Sequence, residues 1–187
     1  RYPSENAFFL PDFPVDAEVK YKDNLVNAYD NSIRYTDDFL ARLIGMLQEQ
    51  NTDAAMLYTS DHGEDIFDDS RRLFLHASPV PSYYQIHVPF LLWMSDSYRD
   101  HYPSLWENTI SNKQKNISSS ASFFHTMLEL GGVTTPYRND SLSVVNVLFT
   151  EKPRVYLNDH NEARSLNEIG MGEEDFEMLQ QKGILYR

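Results

Sequence analysis

Three side chains suited to chemistry stand close together in the sequence: Asp61, His62 and, fourteen residues after the first histidine, His76. Asp61 and His62 follow the apolar run Ala54–Ser60, and Gly63 comes directly after them. Carboxylate oxygens and imidazole nitrogens are both good Zn²⁺ donors, at about 2.0–2.2 Å. Two donors do not complete a tetrahedral site, so further ligands must come from elsewhere, and His76 is the nearest candidate. The alternative is a solvated turn in which Asp61 and His62 only share a local hydrogen bond.

Acidic residues fill the loop between these two histidines. Glu64 either orients a ligand, as a hydrogen-bond acceptor behind it, or is a solvated acid. Asp65, Asp68 and Asp69 are expected to decorate an exposed loop, because they lack the ligand spacing of an EF-hand. His76 has an alternative of its own, which is a histidine packed within the apolar run "LFLH".

Two short apolar runs without polar alternation predict the strands that position these residues. They are Ala54–Ser60 and Val88–Ser95, and such runs are typical of strands covered on both faces, as in a parallel sheet under helices. In open α/β sheets, ligands bind beyond the carboxyl ends of the strands, which is where Asp61 and His62 stand. Gly63 would let the chain turn so that the two side chains converge.

Helices and a third strand complete the pattern. Apolar residues at three- and four-residue steps over Leu25–Leu47 predict a long helix, with Asp23 or Asn24 as its N-cap. Further helices are expected at "SASFFHTMLELGG" and "EEDFEMLQQKG", each ending at a glycine, and a strand at Arg154–Asn158. Helices that alternate with buried strands predict an α/β layered fold.

The composition excludes several classes of function. A chain of 187 residues with 41% hydrophobic residues can form one domain with a real core. Its formal net charge of -12 argues against a nucleic-acid or anionic-membrane surface. The absence of cysteine excludes thiolate zinc sites, cysteine nucleophiles and disulfides. No apolar run approaches the roughly twenty residues of a membrane helix, and no secretory signal is present. Because the sequence begins at Arg1 without Met, we expect a fragment.

Read together, the motifs resemble the C-terminal half of the phosphoethanolamine transferases, which belong to the alkaline phosphatase and sulfatase superfamily. The resemblance covers about residues 1–140. It rests on "RYP", "NAYDNSIRYTDDFLARLIGMLQ", "MLYTSDHGE", "LFLH", "HVPFLLWMS" and "FFHTMLELGGVTTPY", in that order. It implies an alkaline-phosphatase-like three-layer αβα sandwich that lacks its N-terminal portion. Residues 1–187 would form the C-terminal part of one sulfatase-like catalytic domain.

The resemblance also implies a reaction. In this family a threonine activated by Zn²⁺, or by another divalent ion, attacks the donor phosphate, and an acceptor then resolves the phospho-enzyme. Asp61 and His62 correspond to metal ligands of the family, and His76 corresponds to a residue that binds the phosphate or a second metal. The threonine lies upstream of "RYP", before Arg1, so the isolated chain is expected to be inactive.

The partners implied by the resemblance are a phospholipid donor and a lipid A or glycan acceptor, without nucleic acid. Full-length family members are anchored in the bacterial inner membrane by N-terminal helices, with the catalytic domain in the periplasm. The sequence also departs from the family pattern: Ala77 stands where a glycine is common, and the loop before His76 is slightly longer than usual. These departures leave the acceptor open.

Two alternatives to the transferase remain at this level. A sulfatase or phosphodiesterase of the same superfamily shares this half of the fold, and an upstream C/S-x-P-x-R motif would indicate a sulfatase. A catalytically inactive α/β binding module is the alternative from another class, and in it Asp61 and His62 would be incidental.

Overall fold

The computed structural model describes residues 2–12, 16–76, 80–157, 160 and 162–184. The chain divides into two compact units. The first unit comprises Arg1–Gln50 and Glu64–Ser78, and the second comprises Asn51–Gly63 and Pro79–Arg187. Ala77 and Asn158, which figure in the sequence-based predictions, lie outside the described residues.

Short strands alternate with helices along the described chain. Within that part of the protein, no helix is both long and apolar enough to cross a membrane. In chain order the elements are α1 (Lys22–Glu49), β1 (Ala55–Thr59), β2 (Asp65–Ile66), β3 (Phe74–Leu75), α2 (Tyr83–Ile86), β4 (Phe90–Met94), α3 (Asp96–His101), α4 (Pro103–Asn112), α5 (Ser119–Leu130), β5 (Val155–Leu157), β6 (Ala163–Ser165) and α6 (Glu173–Gln181).

The first unit is built on α1, the long helix that the apolar periodicity predicts. The predicted N-cap is wrong, because Tyr21 precedes the helix and both Asp23 and Asn24 lie inside its first turn. A 3-10 turn at Val19–Tyr21 leads directly into α1, so the helix begins without a polar cap side chain. Asp23 is still favourably placed, since a carboxylate in the first turn faces the positive end of the helix dipole.

A small buried core within the first unit anchors the acidic loop that separates His62 from His76 in the sequence. β2 and β3 pair in antiparallel orientation, with Asp65 opposite Leu75. Phe67 belongs to the same buried cluster as Leu25 of α1, and its ring stacks on Phe74 with 5.1 Å between the ring centroids. The loop is therefore packed against the helix, and short strands of two residues carry no periodicity that the sequence could reveal.

The acids of this loop are not all exposed, which corrects the expectation for Asp65 and Asp69. Asp65 is only 2% exposed. Asp69 accepts from the Arg71 guanidinium, at 3.2 Å from Nε to Oδ1 and 2.6 Å from Nη2 to Oδ2. The Arg71 hydrogen bond holds the pKa of Asp69 below its ordinary value of 3.8, although burial acts in the opposite direction. Asp68 is exposed, as predicted, and accepts from the Ile66 amide.

The second unit contains the strands predicted at the two apolar runs. β1 and β4 pair with each other in antiparallel orientation, with Ala55 opposite Met94 and Thr59 opposite Phe90. This pair is therefore not part of the parallel arrangement of which such apolar runs are typical. A continuous apolar run indicates that both faces of a strand are covered, but it does not report the direction of the neighbouring strand.

The other predicted elements of the second unit are confirmed. α5 ends before Gly131 and α6 ends near Gly183, whose φ of 65° suits the left-handed conformation that closes many helices. The strand predicted after Arg154 is β5, and its antiparallel partner β6 was not predicted. The short helices α2, α3 and α4 were also missed, because they are too short or too polar to show an apolar stripe.

Two buried clusters stabilise the second unit. In one of them Met94 of β4 packs with Tyr98 and Leu130, and the Tyr98 hydroxyl donates to the Leu130 carbonyl at 2.6 Å. In the other, Tyr83 of α2 packs with Leu179 of α6. The second cluster therefore packs α6 against the short helix α2. The backbone of α2 in turn contacts the candidate functional site.

Candidate functional site

Asp61 and His62 lie in the second unit, just after the end of β1. Nε2 of His62 is 3.7 Å from Oδ2 of Asp61, and Oδ1 of Asp61 accepts from the His62 amide at 3.1 Å. Two ligands of one tetrahedral Zn²⁺ stand about 3.4 Å apart when each bond is about 2.0–2.2 Å long. The spacing of the two donor atoms therefore fits a shared ion, and the local hydrogen bond of the alternative interpretation is present as well.

Solvent reaches both donors. The Asp61 side chain is 88% exposed and the His62 side chain is 38% exposed. An ion could bind there without any rearrangement of a core. Neutral imidazole and carboxylate are also the donor types that divalent zinc accepts.

Backbone groups orient the His62 ring. Its Nδ1 lies 3.0 Å from the Gly63 carbonyl oxygen, and a carbonyl oxygen can only accept. In the neutral ring the hydrogen therefore sits on Nδ1 and the lone pair on Nε2, the nitrogen near Asp61. A metal-binding histidine is usually held in this way through its other nitrogen. The Ser60 hydroxyl adds a hydrogen bond to the His62 carbonyl at 2.7 Å.

Gly63 is required for a reason that differs from the predicted one. It does not adopt a positive φ, so it supplies no left-handed turn. Instead its amide donates to the Gln85 carbonyl at 2.7 Å, and a Cβ at this position would lie 2.1 Å from the Tyr84 carbonyl oxygen. The backbone of α2 thus approaches the loop so closely that only glycine fits.

His76 lies in the first unit and is bound by Glu64. Nδ1 of His76 is 2.9 Å from Oε1 and 3.0 Å from Oε2 of Glu64. The His76 side chain is 52% exposed, so the alternative of a histidine packed in the apolar run is wrong. The structure gives Glu64 the role of a hydrogen-bond acceptor, and it orients His76.

The boundary between the two units falls at the peptide bond between Gly63 and Glu64. Asp61 is therefore paired with His62 in one unit, and Glu64 is paired with His76 in the other. Sequence reasoning gave Glu64, as one of two alternatives, the role of an acceptor that orients a ligand, but it did not identify His76 as the partner. Twelve positions separate the two residues, so no local pattern shows that they meet.

Two further histidines of the second unit have partners of their own. The His87 ring stacks on Tyr83, with 5.0 Å between the ring centroids, and its Nδ1 lies 2.8 Å from the Tyr83 hydroxyl. Partial burial is the largest cause that lowers the pKa of His87. His101 binds Asp53 at 2.8 Å, and this hydrogen bond lowers the pKa of Asp53.

Comparison with known proteins identifies the family to which the chain belongs. Residues 1–133 match the model of the Sulfatase family. The chain belongs to the sulfatase family. This sulfatase-family chain is 32% identical to phosphoethanolamine transferase EptA of Escherichia coli (strain K12) over 143 residues, which is 73% of this chain and 26% of EptA. It is 35% identical to the Kdo(2)-lipid A phosphoethanolamine 7''-transferase of the same strain over 104 residues, or 54% of this chain and 17% of that protein.

The chain thus spans about a quarter of the length of EptA, at 26%, and less of the second relative. The resemblance to phosphoethanolamine transferases is confirmed by these matches, together with membership of a family of sulfatase-like enzymes. The match to the family model ends at residue 133, before α6 and the strands β5 and β6.

Solved structures confirm the alkaline-phosphatase-like α/β fold, of which this chain covers a part. The C-terminal periplasmic domain of phosphoethanolamine transferase EptC from Campylobacter jejuni has a TM-score of 0.67 and 28% identity, covering 82% of this chain and 48% of that domain. The corresponding EptC domain of Escherichia coli, solved in complex with Zn, has a TM-score of 0.65 and 24% identity, covering 94% of this chain and 49% of that domain. The second likeness bears on the fold alone.

Proposed function

We propose that the intact protein transfers phosphoethanolamine from a phospholipid donor to a lipid A or glycan acceptor. The reaction would pass through a phospho-threonine intermediate, whose threonine the family resemblance places before Arg1. Residues 1–187 would form the C-terminal part of one sulfatase-like catalytic domain. The relatives named as phosphoethanolamine transferases support the reaction class. The observation that carries the proposal is the spacing of 3.7 Å between the Asp61 and His62 donor atoms.

Asp61 and His62 are the proposed metal ligands. Their donor types and spacing fit a divalent ion of the zinc class, and the Gly63 carbonyl holds the ring of His62 with its lone pair at Nε2. When bound, Zn²⁺ would supply Lewis-acid stabilisation of negative charge on the phosphoryl oxygens. A local cation also explains how a protein of net charge -12 accepts an anionic substrate.

His76 is proposed to bind the donor phosphate or a second metal ion. With Nδ1 against Glu64, its Nε2 carries the lone pair in the neutral ring and a hydrogen in the protonated ring. The neutral form would serve as a metal ligand, and the protonated form would donate a hydrogen bond to a phosphoryl oxygen. Glu64 supports either role of His76, because it fixes the orientation of the imidazole ring and can stabilise a positive charge on it.

The proposed location is the periplasm, with anchoring in the bacterial inner membrane. The solved neighbours are described as periplasmic domains, which supports this location. The donor would then be a membrane phospholipid, and the name of one relative specifies Kdo(2)-lipid A for that protein. Because the chain spans only part of these relatives, its acceptor is part of the proposal.

The test follows a labelled ethanolamine head group on the intact protein. Phosphatidylethanolamine with labelled ethanolamine is the donor, lipid A is the acceptor, and the transfer of label is measured before and after treatment with a chelator. We expect transfer that a chelator abolishes and that added Zn²⁺ restores. Release of sulfate from an aryl sulfate, without transfer of ethanolamine, would instead identify a sulfatase.

Two variants connect the reaction to the site. Asp61→Ala and His62→Ala each remove one proposed ligand, and we expect each to lower the rate at least about 100-fold, since even outer partners of metal ligands cost about 10–100-fold. Asp100→Asn removes an exposed carboxylate on α3 and is the matched control. Full metal content and full rate in either variant would overturn the assignment of that residue as a metal ligand.

A further inference from the structure

One buried carboxylate ties together the first turns of two helices of the second unit. Asp175 of α6 is 0% exposed. Its Oδ1 accepts from the Tyr83 amide at 2.8 Å, and its Oδ2 accepts from the Gly172 amide at 3.1 Å. The first amides of a helix have no partner inside that helix, so an outside acceptor is needed where they are buried. Asp175 satisfies one such amide of α2 and one at the start of its own helix.

The short helix α2 depends on this contact. It has only the four residues Tyr83–Ile86, too few to be stable without tertiary partners. Its other supports include the Ser82 hydroxyl, which accepts from the Gln85 amide at 3.3 Å, and the packing of Tyr83 against Leu179. Asp175 fixes the end at which the chain enters the helix, from a position 92 residues away in the sequence.

The far side of α2 contacts the loop that carries the proposed ligands. The Gln85 carbonyl accepts from the Gly63 amide, and the Tyr84 carbonyl occupies the space that a side chain at Gly63 would need. Gly63 in turn presents its own carbonyl to Nδ1 of His62. The position of α2 therefore determines the position of the Gly63 carbonyl, which orients the His62 ring.

We infer that Asp175 is a positioning residue for His62, acting through α2 and the Gly63 backbone. The residue lies beyond position 133, where the match to the family model ends, so the C-terminal segment of this chain contributes its own support to the site. The inference deepens the proposed function, because it rests on the proposal that His62 is a metal ligand. Asp175 itself touches neither the ion nor the substrate.

The experiment measures the loop directly, and metal binding separately. Amide hydrogen exchange of Ser60–Gly63 is followed in the intact protein by mass spectrometry, and Zn²⁺ affinity is measured by competition with a chromophoric chelator. In Asp175→Ala we expect exchange at Gly63 to accelerate at least about tenfold. We expect the Zn²⁺ affinity to fall about 10–100-fold, the range typical of residues that support metal ligands. Asp175→Asn keeps one acceptor oxygen and should show a smaller change in both.

Two controls separate positioning from a general loss of stability. Leu130→Ala removes apolar packing from the other buried cluster of the second unit, which contains no residue of α2 or α6, so it should lower the melting temperature with little effect on exchange at Gly63. Glu174→Gln changes an exposed acid on the same turn as Asp175 and should alter nothing. Equal effects of Leu130→Ala and Asp175→Ala on Gly63 exchange, at matched melting temperatures, would overturn the inference.

The two proposals can fail independently. If the unaltered protein binds no Zn²⁺, the proposed function fails, and the exchange of Gly63 in Asp175→Ala and Asp175→Asn still decides the positioning role. If Zn²⁺ binds tightly and neither variant changes the exchange or the affinity, the positioning role of Asp175 fails and the metal site remains.

Discussion

Both carboxylate oxygens of Glu64 lie within hydrogen-bonding distance of Nδ1 of His76, at 2.9 and 3.0 Å. The pair joins the start of β2 to the end of β3 within the first unit. The Glu64 side chain is 19% exposed and the His76 side chain is 52% exposed, so the imidazole has access to solvent while its orienting partner is largely enclosed. This is the arrangement expected for an imidazole that must present Nε2 to a ligand in a fixed direction.

Removal of Glu64 should lower the transfer rate without unfolding the protein. We expect Glu64→Ala to reduce the rate about 10–100-fold, because the His76 ring loses the acceptor that fixes its orientation. Glu64→Gln should cost less, since an amide oxygen can still accept from Nδ1. Rates are measured with the labelled donor, and Glu107→Gln, an exposed glutamate on α4, is the control. A full rate in Glu64→Ala would show that His76 needs no orienting partner.

A methyl group at Gly63 should displace the ligand loop. A Cβ there would lie 2.1 Å from the Tyr84 carbonyl oxygen, and backbone atoms cannot move aside as the end of a flexible side chain can. We expect Gly63→Ala to destabilise the protein by about 1–3 kcal/mol, the usual range for overpacking, and to weaken Zn²⁺ binding. Urea unfolding and chelator competition measure the two effects.

Gly45→Ala is the matched control for this substitution. A Cβ at Gly45 meets no atom within 4 Å, and the residue lies in the interior of α1. Alanine should therefore stabilise the helix by about 0.5–1 kcal/mol, because it lowers the entropy of the unfolded chain. If both glycine variants had the same effect, the close approach of the Tyr84 carbonyl would not be the reason for Gly63.

The elements that position the site could be predicted where the sequence has a period. α1 was predicted from apolar residues at three- and four-residue steps, and β1 and β4 from runs of apolar residues of strand length. The location of Asp61 and His62 directly after β1 followed from the same pattern. These predictions hold because the spacing of the apolar residues follows the geometry of the element, even where a side chain such as Ile33 of α1 is 53% exposed.

Long-range contacts could not be predicted in this way. The antiparallel direction of β4 beside β1, and the burial of Asp65 and Asp175, depend on which distant groups meet. An acid is predicted to be exposed because an unpaired buried charge is costly, and the sequence does not show that donors will be present. For Asp175 one local signal existed, since an acid three residues after the residue that precedes a helix is typical of a capping box.

The ion pair of Asp69 with Arg71 should make the stability of the first unit depend on pH in acid. The pKa of Asp69 is lowered in the folded protein, chiefly by the Arg71 hydrogen bond, so the folded state binds this proton less readily than the unfolded state. The stabilisation is therefore present above the ordinary aspartate value of 3.8 and is lost as the pH falls through the folded pKa.

Asp69→Asn measures this contribution. At pH 7 the variant should be less stable than the unaltered protein in urea, and the difference should shrink as the pH is lowered below 3.8. Asp100→Asn, which changes an exposed acid on α3, should show no such convergence. A difference for Asp69→Asn that stays constant from pH 7 to pH 3 would mean that the carboxylate acts through its shape and not through its charge.

Asn31 should prove the strongest single support of the segment that precedes α1. Its side chain is 0% exposed; Oδ1 accepts from the amides of Phe8 and Phe9 at 2.8 and 2.9 Å, and Nδ2 donates to the Phe9 carbonyl at 2.9 Å. Asn31→Ala leaves three backbone groups without these partners, so we expect a loss of at least about 2 kcal/mol in urea unfolding.

Asn27→Ala is the control for Asn31, on the same helix. Its amide donates a single exposed hydrogen bond, to the Pro11 carbonyl at 3.0 Å, which water can replace. We expect Asn27→Ala to cost less than about 1 kcal/mol and to leave residues 2–12 resistant to protease, while Asn31→Ala makes them susceptible. The difference is expected because three hydrogen bonds of the buried Asn31 amide hold the backbone of Phe8 and Phe9 against α1. Equal cleavage in the two variants would assign the anchoring of this segment to other contacts, such as the Arg34 guanidinium 4.0 Å above the centre of the Phe8 ring.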